Sequence, residues 1–136
     1  MIIFLSIQSK KNEVINFLNE LKSLLESNNF NVDTDLTLII KRKSGDDQQF
    51  STPYTLLDLD YDSEDVVNRL KELTLEDYSE TKIDKDDLNP PLLFVFGKDI
   101  NDKLVYIKLK IKGTHPKYIL CVSFHYAKEA MNFPYA

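Results

Sequence analysis

The chain has 136 residues, 43% of them apolar and 29% charged, with three glycines and one cysteine. Those proportions exclude a disordered or collagen-like chain, an intramolecular disulfide and a cysteine metal cluster, and they fit one compact domain over 1–136. The net charge of -5 argues against tracking along a long polyanion, yet it is unevenly spread: 54–91 carries twelve acidic and four basic residues, whereas 98–128 carries seven lysines against Asp99 and Asp102. One cationic element on an acidic chain suits brief, local contact with a single nucleic-acid strand.

The chain begins with a five-residue apolar run, 1–5, with no basic segment before it and no small-residue cleavage site after it. It reads as a first strand or a lead into the first helix, not as a signal peptide. No stretch approaches the roughly 18 apolar residues of a membrane span, so no membrane partner is expected. The single Cys121 suits a reducing, cytoplasmic location.

Val14, Ile15, Phe17, Leu18, Leu21, Leu24 and Leu25 recur at helical spacing, which predicts an amphipathic helix over 12–27 ended by Asn28 and Asn29. Residues 36–41 are β-rich and close on the turn signal 44–47, and 54–59 reads as a second short strand. Ser63 reads as the cap of a second helix, with Glu64 and Asp65 favoured in its first turn and Val66, Val67 and Leu70 facing inward. Thr74 to Asp77 is a capping box with Asp in the Glu/Gln slot, which predicts a short third helix. The charged, proline-bearing 82–91 reads as a surface loop, the apolar 92–96 as a strand covered on both faces, and 99–102 as a turn.

The last two predicted strands carry the chemistry. Over 104–112, Val105, Ile107, Leu109 and Ile111 alternate with Tyr106, Lys108, Lys110 and Lys112, giving a core face and a face of one phenol and a lysine ladder. Over 118–125 the phase is read as Tyr118, Leu120, Val122 and Phe124 toward the core, with Ile119, Cys121, Ser123 and His125 on the other face. The short connection 113–116 predicts an antiparallel hairpin, with Lys112 opposite Lys117, Tyr106 opposite Ser123, Lys108 opposite Cys121, and His125 one diagonal step from Tyr106. A phenol, an ammonium, a hydroxyl and an imidazole then converge on one face. These groups suffice for metal-free RNA cleavage: a base takes the 2′-hydroxyl proton, an acid protonates the leaving 5′-oxygen, and a cation balances the phosphoryl charge.

Blander readings weigh against this. A strand histidine is more often structural than catalytic, and alternating lysines commonly protect an edge strand. His115 reads as an exposed turn residue. Asp58, Asp60 and Asp62 lack the glycine and distal glutamate of a calcium loop, and no phosphate-binding glycine loop, zinc spacing or nucleophile elbow is present.

The segments Leu59-Asp60-Tyr61-Asp62, Val67, Leu73-Thr74-Leu75-Glu76-Asp77-Tyr78, Val105-Tyr106-Ile107-Lys108 and Val122-Ser123-Phe124-His125 resemble, in order and spacing, the MqsR family within the RelE-like toxins. The resemblance runs from about residue 54 to residue 136 and includes the ending Asn132-Phe133-Pro134-Tyr135. It implies a compact α+β RelE-like domain, an antiparallel sheet with two or three helices packed on it. It also implies an endoribonuclease toxin that cleaves single-stranded mRNA by metal-independent 2′-hydroxyl attack, uses no cofactor, and is blocked by a cognate antitoxin. Tyr106 falls on the family's active-site tyrosine, and His125 where its S-F-x motif often holds a lysine. Glu80 stands where a further family lysine is often found, with Lys82 two positions on, and a family glutamine falls among Leu93 to Val95. The candidate catalytic residues are Tyr106, His125 and Lys108; the candidate RNA ligands are Lys98, Lys110, Ser123 and Lys82. The same cationic strand would equally serve a catalytically silent RNA- or protein-binding module, or an immunity or regulatory protein, and these alternatives remain open.

Overall fold

The computed structural model describes residues 6–136 and shows an α+β fold built on one six-stranded sheet of order β1-β3-β4-β5-β6-β2. The strands are β1 (Ser6–Ile7), β2 (Leu36–Leu38), β3 (Tyr78–Lys82), β4 (Leu93–Ile100), β5 (Lys103–Lys112) and β6 (Tyr118–Tyr126). The apolar run expected to form a first strand or helix lead lies outside the described residues. Helices α1 (Lys11–Leu25), α2 (Val32–Asp35), α3 (Thr52–Leu59) and α4 (Ser63–Lys71) complete the fold with two 3₁₀ turns, Gly45–Phe50 and Leu75–Asp77.

One face of the sheet holds the main core. The predicted stripe of α1 buries Val14, Leu18, Leu21 and Leu25, and Phe17 stacks on Phe94 of β4 with ring centroids 4.2 Å apart. Helix α4 adds Val66, Val67 and Leu70 to the same core, which holds Phe96, Val105, Ile107 and Phe124 of the sheet. Its cap is Asp62 rather than Ser63: the Asp62 carboxylate accepts the Asp65 amide at 3.0 Å, and Asp65 returns the bond to the Asp62 amide at 2.9 Å. The Thr74–Asp77 box forms as expected, closing one 3₁₀ turn. Asn101 and Asp102, both at positive φ (52° and 65°), make the two-residue turn between β4 and β5, a conformation that Asn and Asp tolerate.

Three expectations need correcting. The sheet is mixed: β2 runs parallel to β6, pairing Leu36 with Ile119 and Leu38 with Cys121. Strand direction depends on the crossover between partners, which no local pattern records. Residues 54–59 are helical, not a strand. Ser51 Oγ accepts the Tyr54 amide at 3.3 Å, Pro53 pre-sets the first turn, and Asp60 ends the helix in the left-handed region at φ 57°. A run this short fits either period, so the cap and the proline decide it. The third correction is the phase of β6. Its pairing with β5 passes from Lys108↔Ser123 to Leu109↔Cys121, leaving Val122 as an extra, bulged residue. Before the bulge Ile119 and Cys121 are buried in the core and Tyr118 and Leu120 are not; after it Phe124 and Tyr126 face the core while Ser123 and His125 face the other way.

Helix α3 replaces a strand along the rest of the β6 edge. Thr52 Oγ1 accepts the Phe124 amide at 3.1 Å, and Thr55 Oγ1 accepts the Tyr126 amide at 3.0 Å. Two hydroxyls thereby satisfy buried amides that β2 is too short to reach. Thr55→Val keeps the shape but orphans the Tyr126 amide, and is expected to cost about 1–3 kcal/mol in denaturant unfolding. Among the described residues, no helix is long and apolar enough to cross a membrane.

Candidate active site

The second face of the sheet is framed by irregular segments, which leave troughs open above it. The 83–92 loop closes over one end, the segment after β2 flanks another, and the C-terminal segment after β6 folds back across β4. Between them Tyr106 of β5 pairs directly with His125 of β6. Their rings stack with centroids 5.2 Å apart and planes 13° from parallel. The expected diagonal relation is thus replaced by a closer one, because the Val122 bulge and the longer connection shift the register. Lys108 is two residues along the same face, its Nζ 5.9 Å from the Tyr106 ring centroid, and Ser123 pairs opposite it.

A cavity of about 560 Å³ and a second of about 460 Å³ both reach Tyr106, His125 and Lys82, so the stacked pair lies where the two troughs meet. The smaller trough is cationic: Lys41, Lys43, Lys82, Lys85 and Lys108 line it against Asp84 and Asp86. Lys41, Lys43 and Lys85 were not among the residues expected from sequence. The basic triplet Lys41-Arg42-Lys43 was the available signal, and only the fold brings it to the hairpin.

Two expected ligands are elsewhere. Lys98 pairs with Val105, so it points to the helix-covered face, where its ammonium is 3.7 Å from the Glu72 carboxylate. A β4 residue two-fold out of phase with Gly97 and Tyr106 cannot reach the troughs. Lys110 is on the correct face but is 0% exposed, its Nζ 2.9 Å from Asp84 and 3.4 Å from Asp87. Its charge is consumed by a clamp that pins the 83–92 loop to the sheet. Ser123 is largely buried, and Lys82 stands on the rim, 3.5 Å from Glu80.

The electrostatics assign distinct roles. His125 Nδ1 is 2.9 Å from the Tyr126 carbonyl oxygen. A carbonyl only accepts, so Nδ1 carries the proton and the neutral ring keeps its lone pair on Nε2. Burial holds the His125 pKa below its ordinary value, with Lys43 and Lys108 adding to the effect and the Tyr126 carbonyl opposing it. The ring is therefore a neutral acceptor at pH 7. Burial, then the nearby Glu80 charge, pushes the Tyr106 phenol up to about 12, so it stays a hydrogen-bond donor. Burial and then Lys82 bring Lys108 below the ordinary lysine range, which makes its ammonium a better proton donor.

Other reactive groups have structural duties. Asp58 accepts the Tyr126 hydroxyl at 2.5 Å and is 3.6 Å from Lys103, while Asp62 caps α4. Among the described residues no group of three or more His, Cys, Asp or Glu side chains is placed to hold a metal ion. Cys121 is fully buried, and burial pushes its thiol up to about 12, which leaves it unreactive. Comparison of the chain with protein families, with curated proteins and with solved structures gives no match in any of the three.

Proposed function

We propose that this chain is an endoribonuclease toxin of the RelE-like group, akin to the MqsR family, that cleaves single-stranded mRNA in the cytoplasm and is held in check by a cognate antitoxin. The observation that carries the reading is the stacked Tyr106–His125 pair, with Nε2 of His125 as its lone acceptor, at the junction of a lysine-lined trough. His125 Nε2 takes the proton from a ribose 2′-hydroxyl, and the oxygen attacks the adjacent phosphorus. The P–O5′ bond breaks, leaving a 2′,3′-cyclic phosphate, and the departing 5′-oxygen takes a proton from Lys108. Tyr106 donates a hydrogen bond to a phosphoryl oxygen as charge grows there. No step in this sequence calls on a metal or a small-molecule cofactor.

The pKa directions fix the sign of the pH dependence. His125 must be neutral, so kcat/KM is retained above its pKa and lost as pH falls through it, at a value below the ordinary histidine pKa of about 6.5. Lys108 must be charged, so activity is lost on the alkaline side as pH rises through a value below the ordinary lysine pKa of about 10.4. A bell-shaped profile on a short RNA is the expected result, and a rate that climbs steadily into strong alkali contradicts the roles assigned. Expression gives the cellular counterpart: the wild-type chain arrests growth, and His125→Ala relieves the arrest. Equal arrest by the parent and by this variant removes His125 from the site.

A further inference from the structure

We infer that Lys108 is a site of covalent acylation, at which a small acyl phosphate held among the lysines of the smaller trough transfers its acyl group to the side-chain amine. The consequence for RNA cleavage rests on the nuclease reading; the modification itself rests on the trough alone.

The three lysines that share one face of β5 have different surroundings. Lys110 Nζ is 2.9 Å from Asp84 and Lys112 Nζ is 2.8 Å from Asp87, so each is held by a carboxylate. Lys108 has no ion pair and no hydrogen bond among the described residues. Its Nζ stands 5.9 Å from the Tyr106 ring centroid, on a half-buried side chain that lines the trough. An ammonium tied to a carboxylate is kept protonated and is no nucleophile, whereas a desolvated, unpaired one gives up its proton more readily and exposes a lone pair. Burial, then the Lys82 charge, biases Lys108 toward the neutral amine; Lys41 and Lys43 add to this, and Asp84 opposes it.

The trough selects the other reactant. Its cavity of about 460 Å³ sets five lysines against Asp84 and Asp86, and Asp84 is itself neutralised by Lys110. The surplus of positive charge concentrates a small dianion there. Lys43 is fixed by donating to the Phe50 carbonyl at 2.9 Å, while Lys41 and Lys85 are exposed and free to close on a phosphoryl group. An acyl phosphate joins such a group to an electrophilic carbonyl carbon, so lysines that hold the phosphoryl end leave the carbonyl to Lys108. The Nζ lone pair attacks the carbonyl carbon, and the C–O bond to the phosphoryl group breaks with its electron pair. The amine proton leaves with the released phosphate as hydrogen phosphate. The product amide is uncharged and has no proton for a departing 5′-oxygen, so the acylated chain does not cut RNA.

The test reads modification apart from cleavage. The purified chain is incubated with acetyl phosphate, and acetylation of each lysine is followed in time by peptide mass spectrometry. Lys22 of α1 and Lys71 of α4 serve as internal references, since both are half-exposed and neither has an ion pair among the described residues. Lys108 is expected to react about 10-fold faster than either or more, the gain that a cluster of like charges gives to a small counter-ion. Inorganic pyrophosphate, which competes for the trough, slows Lys108 and leaves Lys22 and Lys71 unchanged, and Lys43→Ala slows Lys108 alone. Equal rates at the three lysines, or a Lys108 rate indifferent to pyrophosphate, overturn the acylation site and leave the nuclease standing. The same samples are then given single-stranded RNA, and cleavage is expected to fall in proportion to the fraction acetylated at Lys108. Full cleavage by a chain fully acetylated there overturns the regulatory consequence. No cleavage by treated or untreated chain, with Lys108 still labelled first, removes the nuclease and keeps the modification site.

Discussion

If the chain is the proposed nuclease, His125→Ala is expected to lower the rate of RNA cleavage by about 10²–10⁴-fold, the usual contribution of a positioned general base, and to leave RNA binding nearly unchanged. On the proposed reading, binding rests mainly on the lysines of the smaller trough, none of which touches the imidazole in a hydrogen bond. The loss falls on the proton transfer alone, because Nε2 is the ring atom free to take the 2′-hydroxyl proton once Nδ1 is held by the Tyr126 carbonyl. The acidic limb of the pH profile disappears with it, since that limb reports the titration of this ring. Tyr106→Phe costs less: the ring and its stack on His125 survive, and only the hydrogen bond to the phosphoryl oxygen is lost. Single-turnover cleavage of a short RNA, alongside equilibrium binding of a non-cleavable analogue, separates the two effects.

Lys110→Ala destabilises the fold by about 3–5 kcal/mol, the cost of leaving one member of a buried ion pair without its partner. Its side chain is 0% exposed between Asp84 and Asp87, and Lys112 meets the same Asp87 at 2.8 Å. Removing the ammonium strands the Asp84 carboxylate against the sheet and releases the 83–92 loop that walls the smaller trough. Against the 5–15 kcal/mol of a typical domain this is a large fraction. Acid reproduces part of the effect. Hydrogen bonds from Lys112 and from the Asn89 amide hold Asp87 down to about 2, and Asp84, which burial alone would raise, is held low by Lys110. Carboxyls with depressed folded-state pKa values stabilise above their unfolded value of about 3.9, and that stability is lost as pH falls toward about 2. Thermal melts should therefore fall for the wild type as pH drops below about 3.9, and less for Lys110→Ala, which frees Asp84 while Lys112 still holds Asp87. Parallel curves for the two proteins place the clamp outside the stability of the fold.

Much of this architecture is legible in the sequence, and the parts that are not have physical reasons. The helix from Lys11, the Thr74 capping box and the alternation of β5 follow from local periodicity and caps, so they read correctly. Residues 54–59 read wrongly because a short apolar run carries no period, and the decisive signals were Ser51 and Pro53 just before it. The sequence puts Tyr106, Lys108, Ser123 and His125 on one face, and the structure has them there. It misplaces their register, because one bulged residue, Val122, has no marker of its own. Lys110 and Lys108 look alike in an alternating strand; only the loop bringing Asp84 and Asp87 distinguishes the buried ion pair from the trough lysine. Lys41, Lys43 and Glu80 join the site through tertiary contacts between segments far apart in the chain.

The most direct test incubates the purified chain with a defined single-stranded RNA in chelator and identifies the new ends. The account predicts a 2′,3′-cyclic phosphate on one fragment and a 5′-hydroxyl on the other, formed by the wild type and nearly absent with His125→Ala. Fragments ending in 5′-phosphate and 3′-hydroxyl, or RNA that binds and stays whole, contradict it and leave a silent RNA-binding module in its place.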